Sequence, residues 1–267
     1  MSHEHRQAPS AVVVGAGLAG LACAQDLCRA GWRVTLLEAS DGVGGRMRTD
    51  RKDGFLLDRG FQVFNTSYPQ VKRRLDLKSL RLRPFTAGFI VHTPNGPVRV
   101  ADPTREPGAV GALLPGLTVP DTRTVTTYDH ATDGTPTADP TLMVDSAGAL
   151  LNTCALSEVA PGYAPRGTGL VSTSVLGTDF PGRAQAVLRR LAELYGVDTS
   201  DWQQIAAYTV EGALPAMLPP WPLGRTTRLG PGRHVCGDYR ATGSVQGALA
   251  SGARAAREVS ADSGRRR

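Results

Sequence analysis

Six residues constrain this chain more than any others: Gly15-Ala16-Gly17-Leu18-Ala19-Gly20, set directly behind the β-branched run Val12-Val13-Val14. A short apolar run of that kind reads as a buried parallel strand. Behind the glycines, Leu18, Leu21, Ala24, Leu27 and Cys28 recur at helical spacing, Gly31 marks a helix end, and Val34-Thr35-Leu36-Leu37 supplies a second strand. A helical crossover of this length joins parallel strands, so the unit is βαβ and the fold class is α/β. In such a unit Gly15 permits the tight turn, Gly17 lets the backbone approach a pyrophosphate, and Gly20 lets helix pack closely on strand. The helix start, with Leu18 and Ala19 in its first turn, offers free N–H groups and a positive dipole end to a diphosphate. Glu38 ends the second strand 18 residues after Gly20. There its carboxylate can accept both hydroxyls of an adenosine ribose, and it would repel a 2′-phosphate. The pattern predicts a dinucleotide site for NAD or FAD rather than NADP.

Past Glu38 the chain reads Ala39-Ser40-Asp41-Gly42-Val43-Gly44-Gly45-Arg46. An acid followed shortly by Gly-Gly-Arg resembles the flavin-containing amine oxidases and the related phytoene-desaturase-like oxidoreductases. The resemblance implies FAD contacts from Ala39, Gly44, Gly45 and Arg46, with the turn beside the diphosphate and ribityl chain. Glycines let a backbone close over a cofactor, and a guanidinium can fork onto phosphate oxygens. A second segment, Gly237-Asp238 followed by Gly243-Ser244-Val245-Gln246-Gly247-Ala248, looks like the C-terminal flavin motif of the same family. It implies ribityl bonds from Asp238, and a helix over 244–257 whose start (Ser244, Val245, Gln246, Ala248) points at the flavin pyrimidine edge. A helix N-terminus suits the negative charge that collects there on reduction. The run FLLDRGFQVF (55–64) resembles the strand beside the isoalloxazine, implying contacts from Gly60 and Phe61, and by position Gln62 and Tyr208 fall on the flavin side. Further runs, VAPGYAPRGTGLV (159–171) and YTVEGALP (208–215), carry the likeness, which covers most of 11–102 and about 117–257.

This resemblance implies an FAD-dependent oxidoreductase that takes a hydride from a C–N or C–C bond of a small organic substrate to flavin N5. Oxygen or another acceptor would reoxidise the flavin. Family members carry a long insertion where this chain has only the junction 103–120, so the alternative is a catalytically impaired FAD-binding remnant or a partner-binding flavoprotein. No Ser/His/Asp set, carboxylate pair or general base stands out, so no catalytic residue is nominated. On this reading the chain is a Rossmann-like FAD-binding domain with a parallel sheet plus a reduced antiparallel-sheet substrate domain. Its segments are a flexible start (1–10), the N-terminal half of the FAD-binding domain (11–102), a Pro/Gly-rich junction (103–120), the substrate-type region (121–215), the C-terminal FAD half (216–257) and a disordered tail (258–267).

Composition narrows the remaining classes. A hydrophobic content of 41% argues against wholesale disorder. The longest uncharged run near the start, Ala11 to Ala24, is 14 residues, short of the roughly 18 needed to span a bilayer. Glu4 and the interrupting glycines argue against a secretory leader, so a cytoplasmic protein is expected. Cys23, Cys28, Cys154 and Cys236 form no C-x-x-C pair and the five histidines show no ligand spacing, so neither a metal site nor a disulfide framework is expected. Residues 71–83 carry six basic side chains against Asp76, most of the formal net charge of +6. Their leucines alternate without aromatics, so a solvated helix face is expected rather than a nucleic-acid site.

Overall fold

Around the first glycines the apolar pattern builds the βαβ unit expected of it. The computed structural model describes residues 8–60, 63–86, 88–93, 95–100, 122–217 and 222–265. Strand β1 (Ser10–Val14) pairs in parallel with β2 (Arg33–Leu37), from Ser10 opposite Arg33 to Val14 opposite Leu37, and helix α1 (Leu18–Arg29) joins them. Gly31, at φ 81°, ends the helix as its position predicts. Val13 and Leu36 turn inward, whereas Val12, Val14 and Leu37 are 64%, 82% and 50% exposed. The expectation of a strand buried on both faces is corrected here. Among the described residues this sheet has two strands packed on one face, so alternate side chains reach solvent.

Strands β3 (Thr49–Lys52) and β4 (Phe55–Asp58) form an antiparallel hairpin. Helix α2 (Pro69–Arg74) stops early in the basic run, which is therefore not one long helix face. Arg74 is also no solvated charge: its side chain is 3% exposed and pairs with Asp26 on α1 at 2.6 Å. Strands β5 (Phe89–Thr93), β6 (Gly96–Val100), β7 (Thr122–Asp133), β8 (Leu142–Asp145), β9 (Asn152–Ala155), β10 (Thr168–Leu176) and β11 (Gln203–Pro215) make one sheet of order β11-β7-β10-β9-β8-β5-β6. Of its pairings only β5 with β8 is parallel. Residues 89–100 thus hydrogen-bond into the antiparallel sheet, not into the N-terminal parallel one.

A short helix, α3 (Leu156–Val159), follows β9, and α4 (Arg183–Tyr195) lies between β10 and β11. Its stripe Val187, Leu191 and Leu194 packs on Tyr128, Leu150 and Val175 of one sheet face. The hairpin covers the other face, where Phe55 and Leu57 meet Cys154, Leu156, Val159 and Leu170. The N-cap of α4 carries no capping side chain. Gly182 occupies that position, and the Asp179 carboxylate instead accepts hydrogen bonds from the Tyr128 hydroxyl and the Phe180 N–H. Gly196, at φ 67°, closes the helix.

A hairpin of β12 (Arg228–Gly230) and β13 (Arg233–His234) leads to α5 (Val245–Arg265). The expected disordered tail is corrected through Arg265, because the last turns find partners. Glu258 accepts the Thr227 hydroxyl at 2.7 Å and its N–H at 3.0 Å, and Asp262 pairs with Arg228. α5 crosses α1 at small side chains. A Cβ on Gly252 would collide with the Ala19 carbonyl oxygen and lie 3.0 Å from the Ala22 Cβ. Val13, Cys23, Leu27, Ala255 and Ala256 bury the contact. The opposite ends of the chain are therefore one core. Phe61, Gln62, the 103–120 junction, Arg266 and Arg267 lie outside the described residues, and among the described residues no helix is long and apolar enough to cross a membrane.

Candidate functional site

Backbone geometry builds the first wall of the site. Gly15 holds φ 93° and donates its N–H to the Leu37 carbonyl at 2.7 Å, so the chain leaves β1 in a sharp turn. A Cβ on Gly20 would collide with the Gly15 carbonyl oxygen, so only glycine lets α1 start this close to the strand. Gly17 differs: its φ is an ordinary −72°, and an added Cβ would meet nothing within 4 Å. Its smallness serves the space in front of it. No side chain caps α1, which leaves the N–H groups of the first turn for a ligand.

The Gly44–Gly45 turn is stitched to this loop. Gly44 donates to the Ala16 carbonyl at 2.8 Å, and Gly17 and Gly44 form a parallel bridge. Arg46 then reaches across the fold. Its Nη2 donates to Asp238 Oδ2 at 2.9 Å, and its Nη1 donates to the carbonyls of Gly212 and Ala213. The guanidinium expected against phosphate oxygens is thus also a brace between two distant segments. Asp238, only 8% exposed, accepts a further bond from the Tyr239 N–H at 3.0 Å. Ser244 caps α5 by accepting the Gly247 N–H at 3.1 Å.

Together these segments enclose a cavity of about 620 Å³, inside the span of roughly 300–1,000 Å³ common to small-molecule sites. Gly17, Leu18, Ala19, Gly44, Gly45 and Arg46 from the N-terminal segments line it together with Gly60 and with Gly237, Asp238, Ser244, Val245 and Ala248 from the C-terminal one. Gly15 and Gly20 stand behind the first wall and shape it. Gln246 is not among the lining residues: its Oε1 accepts the Gln70 N–H at 3.0 Å and ties α5 to α2. Ala39 is exposed beyond β2 and outside the wall. Glu38 also stands apart. Its carboxylate accepts the Ala16 N–H at 2.6 Å and both the N–H and hydroxyl of Ser40. Those bonds, Ser40 first and Ala16 next, hold it down at about 2, so it is charged at any ordinary pH.

Of the remaining lining, Val210 and Leu214 fall in the run 208–215 that carried the likeness, though neither stood out there as a site residue. Val125, Asn152 and Ser174 come from other strands of the large sheet, where only the alternation of strand faces hinted at them. Arg59 was flanked by a clue, since it precedes Gly60; its guanidinium grips Asp50 with bonds of 3.0–3.2 Å. Tyr208 lies beside the cavity, its phenol pushed up to about 12 by burial and by neighbouring Asp50.

Beneath the sheet face shared with Val125 lies a buried acid, Asp129. It is 2% exposed, sits between Ser172 and Ala206 in the ladder, and its Oδ2 has no hydrogen-bond partner. Burial pushes it up to about 7; a Ser172 bond opposes the shift and the Asp58 charge adds to it. A carboxyl raised in the folded state costs stability as pH rises from about 4 to 7, where the unfolded chain releases the proton and the folded chain keeps it. Asp129→Asn is therefore expected to gain stability over the native chain above pH 7, on the order of a few kcal/mol, and to gain none near pH 4. Urea melts of both proteins at the two pH values check this, and a gain independent of pH would contradict it.

The chain has relatives among known proteins. The family described as flavin containing amine oxidoreductase matches residues 18–158 and 130–260. An L-amino-acid oxidase from Bungarus fasciatus is 61% identical over 51 residues, 18% of this chain and 10% of that one. One from Crotalus adamanteus is 43% identical over 75 residues, 28% and 14% of the two chains. The matched stretch is thus a small fraction of the length of these relatives. Among solved structures, putrescine oxidase bound to putrescine aligns with a TM-score of 0.64 over 96% of this chain and 99% of its own, at 14% identity, which speaks to the fold. Because the family match runs from the first helix of the glycine loop to the last helix of the cavity wall, this chain belongs to the flavin containing amine oxidoreductases.

Proposed function

We propose that this chain binds FAD across the cavity and acts as an oxidoreductase on a small organic substrate of the amine-oxidase or desaturase kind. The observation that carries the reading is the Arg46–Asp238 pair at 2.9 Å, which closes residues 192 apart in sequence around one open space. The residues present fit such a cofactor. Gly17 leaves room where a diphosphate would approach, α1 begins uncapped behind it, and the cavity volume suits a ligand of this size. The chemistry that a flavin supplies when bound is acceptance of a hydride from a C–N or C–C bond, with reoxidation by an acceptor such as oxygen.

The protein contributes position and field. Gly17, Leu18 and Ala19 present backbone donors to phosphate oxygens, and Gly44 and Gly45 let the chain close over them. Glu38, charged and with acceptor sites to spare, suits ribose hydroxyls. Asp238 suits a ribityl hydroxyl, and Arg46 keeps its carboxylate aimed at the cavity. The start of α5, at Ser244 and Val245, offers N–H groups where negative charge would develop. Val125, Val210 and Leu214 give that end an apolar lining that keeps water from the reacting bond.

An absorption spectrum of the purified protein, followed by cofactor release on denaturation and a panel of amines and polyenes, tests the proposal. The expected result is a yellow protein that releases FAD and is reduced by at least one substrate. A colourless protein that FAD does not stabilise would overturn it, and bound flavin without turnover would leave the catalytically impaired alternative. Asp238→Ala is expected to weaken FAD by roughly tenfold or more, since it removes an acceptor and leaves the Arg46 charge without its carboxylate. A fluorescence titration with FAD measures it.

A further inference from the structure

A pair of thiols lies between the two halves of the site, and the proposed chemistry does not use it. Cys23 is on α1, 6% exposed, and Cys236 immediately precedes Gly237 and Asp238, partly buried. Both belong to the packing that joins α1 to α5, where Cys236 lies against the buried cluster that holds Cys23. A bond between them would therefore join the helix behind the glycine loop to the segment that carries Asp238. Neither other cysteine competes for this position, because Cys28 is exposed on α1 and Cys154 is buried beneath the hairpin. The neighbouring thiols shift each other, lowering Cys236 and raising Cys23, while burial acts upward on both. The pair thus gives up its first proton readily and its second with difficulty. Thiolate is the attacking form, and Cys236 is also the more exposed residue of the two.

We propose that Cys23 and Cys236 are a peroxide-oxidised pair whose disulfide clamps the two halves of the nucleotide-binding fold together. The Cys236 thiolate attacks one oxygen of hydrogen peroxide, forming an S–O bond as the O–O bond breaks and hydroxide leaves. The Cys23 sulfur then displaces the second hydroxide from Cys236, forming the S–S bond, and that hydroxide takes the Cys23 proton away as water. Two sulfurs lose two electrons between them and the peroxide is reduced to the level of water. Oxygen reoxidation of a flavin would supply peroxide in place, and only that source rests on the proposed function.

The test adds hydrogen peroxide to the purified full chain, so its outcome is independent of any oxidase activity. Of the four thiols, two are expected to disappear, with a crosslinked peptide holding Cys23 and Cys236 and recovery on reduction by dithiothreitol. Cys28→Ser should oxidise like the native chain, and Cys236→Ser should form no intramolecular disulfide. The oxidised protein should melt roughly 5–10 °C higher, as expected for a bond closing so long a loop. Four surviving thiols, or a crosslink to Cys28 or Cys154, would overturn the pair. A Cys23–Cys236 disulfide that leaves the melting temperature unchanged would overturn the clamp.

Discussion

Gly17→Val is expected to lose FAD by roughly a hundredfold or more while leaving the apoprotein as stable as before. The two halves of that statement come from different observations. Gly17 has a φ of −72°, open to any residue, and a Cβ there would touch nothing within 4 Å, so the valine side chain meets no protein atom at its base. That empty space is the cavity itself, lined by Gly17 and its two successors. A branched side chain at the closest point of approach pushes a diphosphate away from the first-turn N–H groups. A loss of roughly 3 kcal/mol is in keeping with forced overpacking, and it corresponds to about a hundredfold in affinity. Gly20→Val is the contrasting case, because its Cβ would run into the Gly15 carbonyl oxygen and the fold itself would suffer. FAD titration and thermal melting, run on both variants, separate the two effects. Native affinity in Gly17→Val would mean that the diphosphate does not lie against this loop.

The contrast between these glycines also marks what the sequence could disclose. Gly15 and Gly20 were legible because each answers a demand set within a few residues, a positive φ at one and a carbonyl contact at the other, and local demands leave local signatures. Arg46 and Asp238 were legible as candidates through family likeness, yet their pairing was not, since nothing in either segment names a partner 192 residues away. The bond that Gln246 makes to α2 was hidden for the same reason. The residue sits inside a cofactor-like motif, but a free N–H at the start of α2 claims its amide oxygen. The tail was misread because an Ala/Ser/Arg-rich run looks like solvent-exposed chain until Thr227 and Arg228 are found waiting for Glu258 and Asp262. Val12 and Val14 were misread because strand burial depends on how many neighbours a sheet has, and a run of valines cannot state that number. Asp129 carries no signature at all: an aspartate in TRTVTTYDH becomes a raised acid only once β10 and β11 flank it.

Gly252 separates two physical effects that point in opposite directions. Helix propensity alone says that Gly252→Ala, in the middle of α5, should stabilise the chain by about 1 kcal/mol. Packing says the reverse. The added methyl would sit inside contact distance of the Ala19 carbonyl oxygen and 3.0 Å from the Ala22 Cβ, and a backbone carbonyl cannot swing aside as a flexible side chain can. The helices must separate, which opens the cluster of Val13, Cys23, Leu27, Ala255 and Ala256 that holds the two halves of the cavity together. Overpacking of this kind costs roughly 1–3 kcal/mol, and valine adds two further methyl groups in the same direction. Gly252→Ala is therefore expected to melt several degrees lower than the native chain, and Gly252→Val lower still by roughly 10 °C, with FAD affinity falling in step. The order matters more than the size. If alanine raises the melting temperature, propensity has won, and close contact between α1 and α5 is not what keeps the glycine loop and Asp238 in one site.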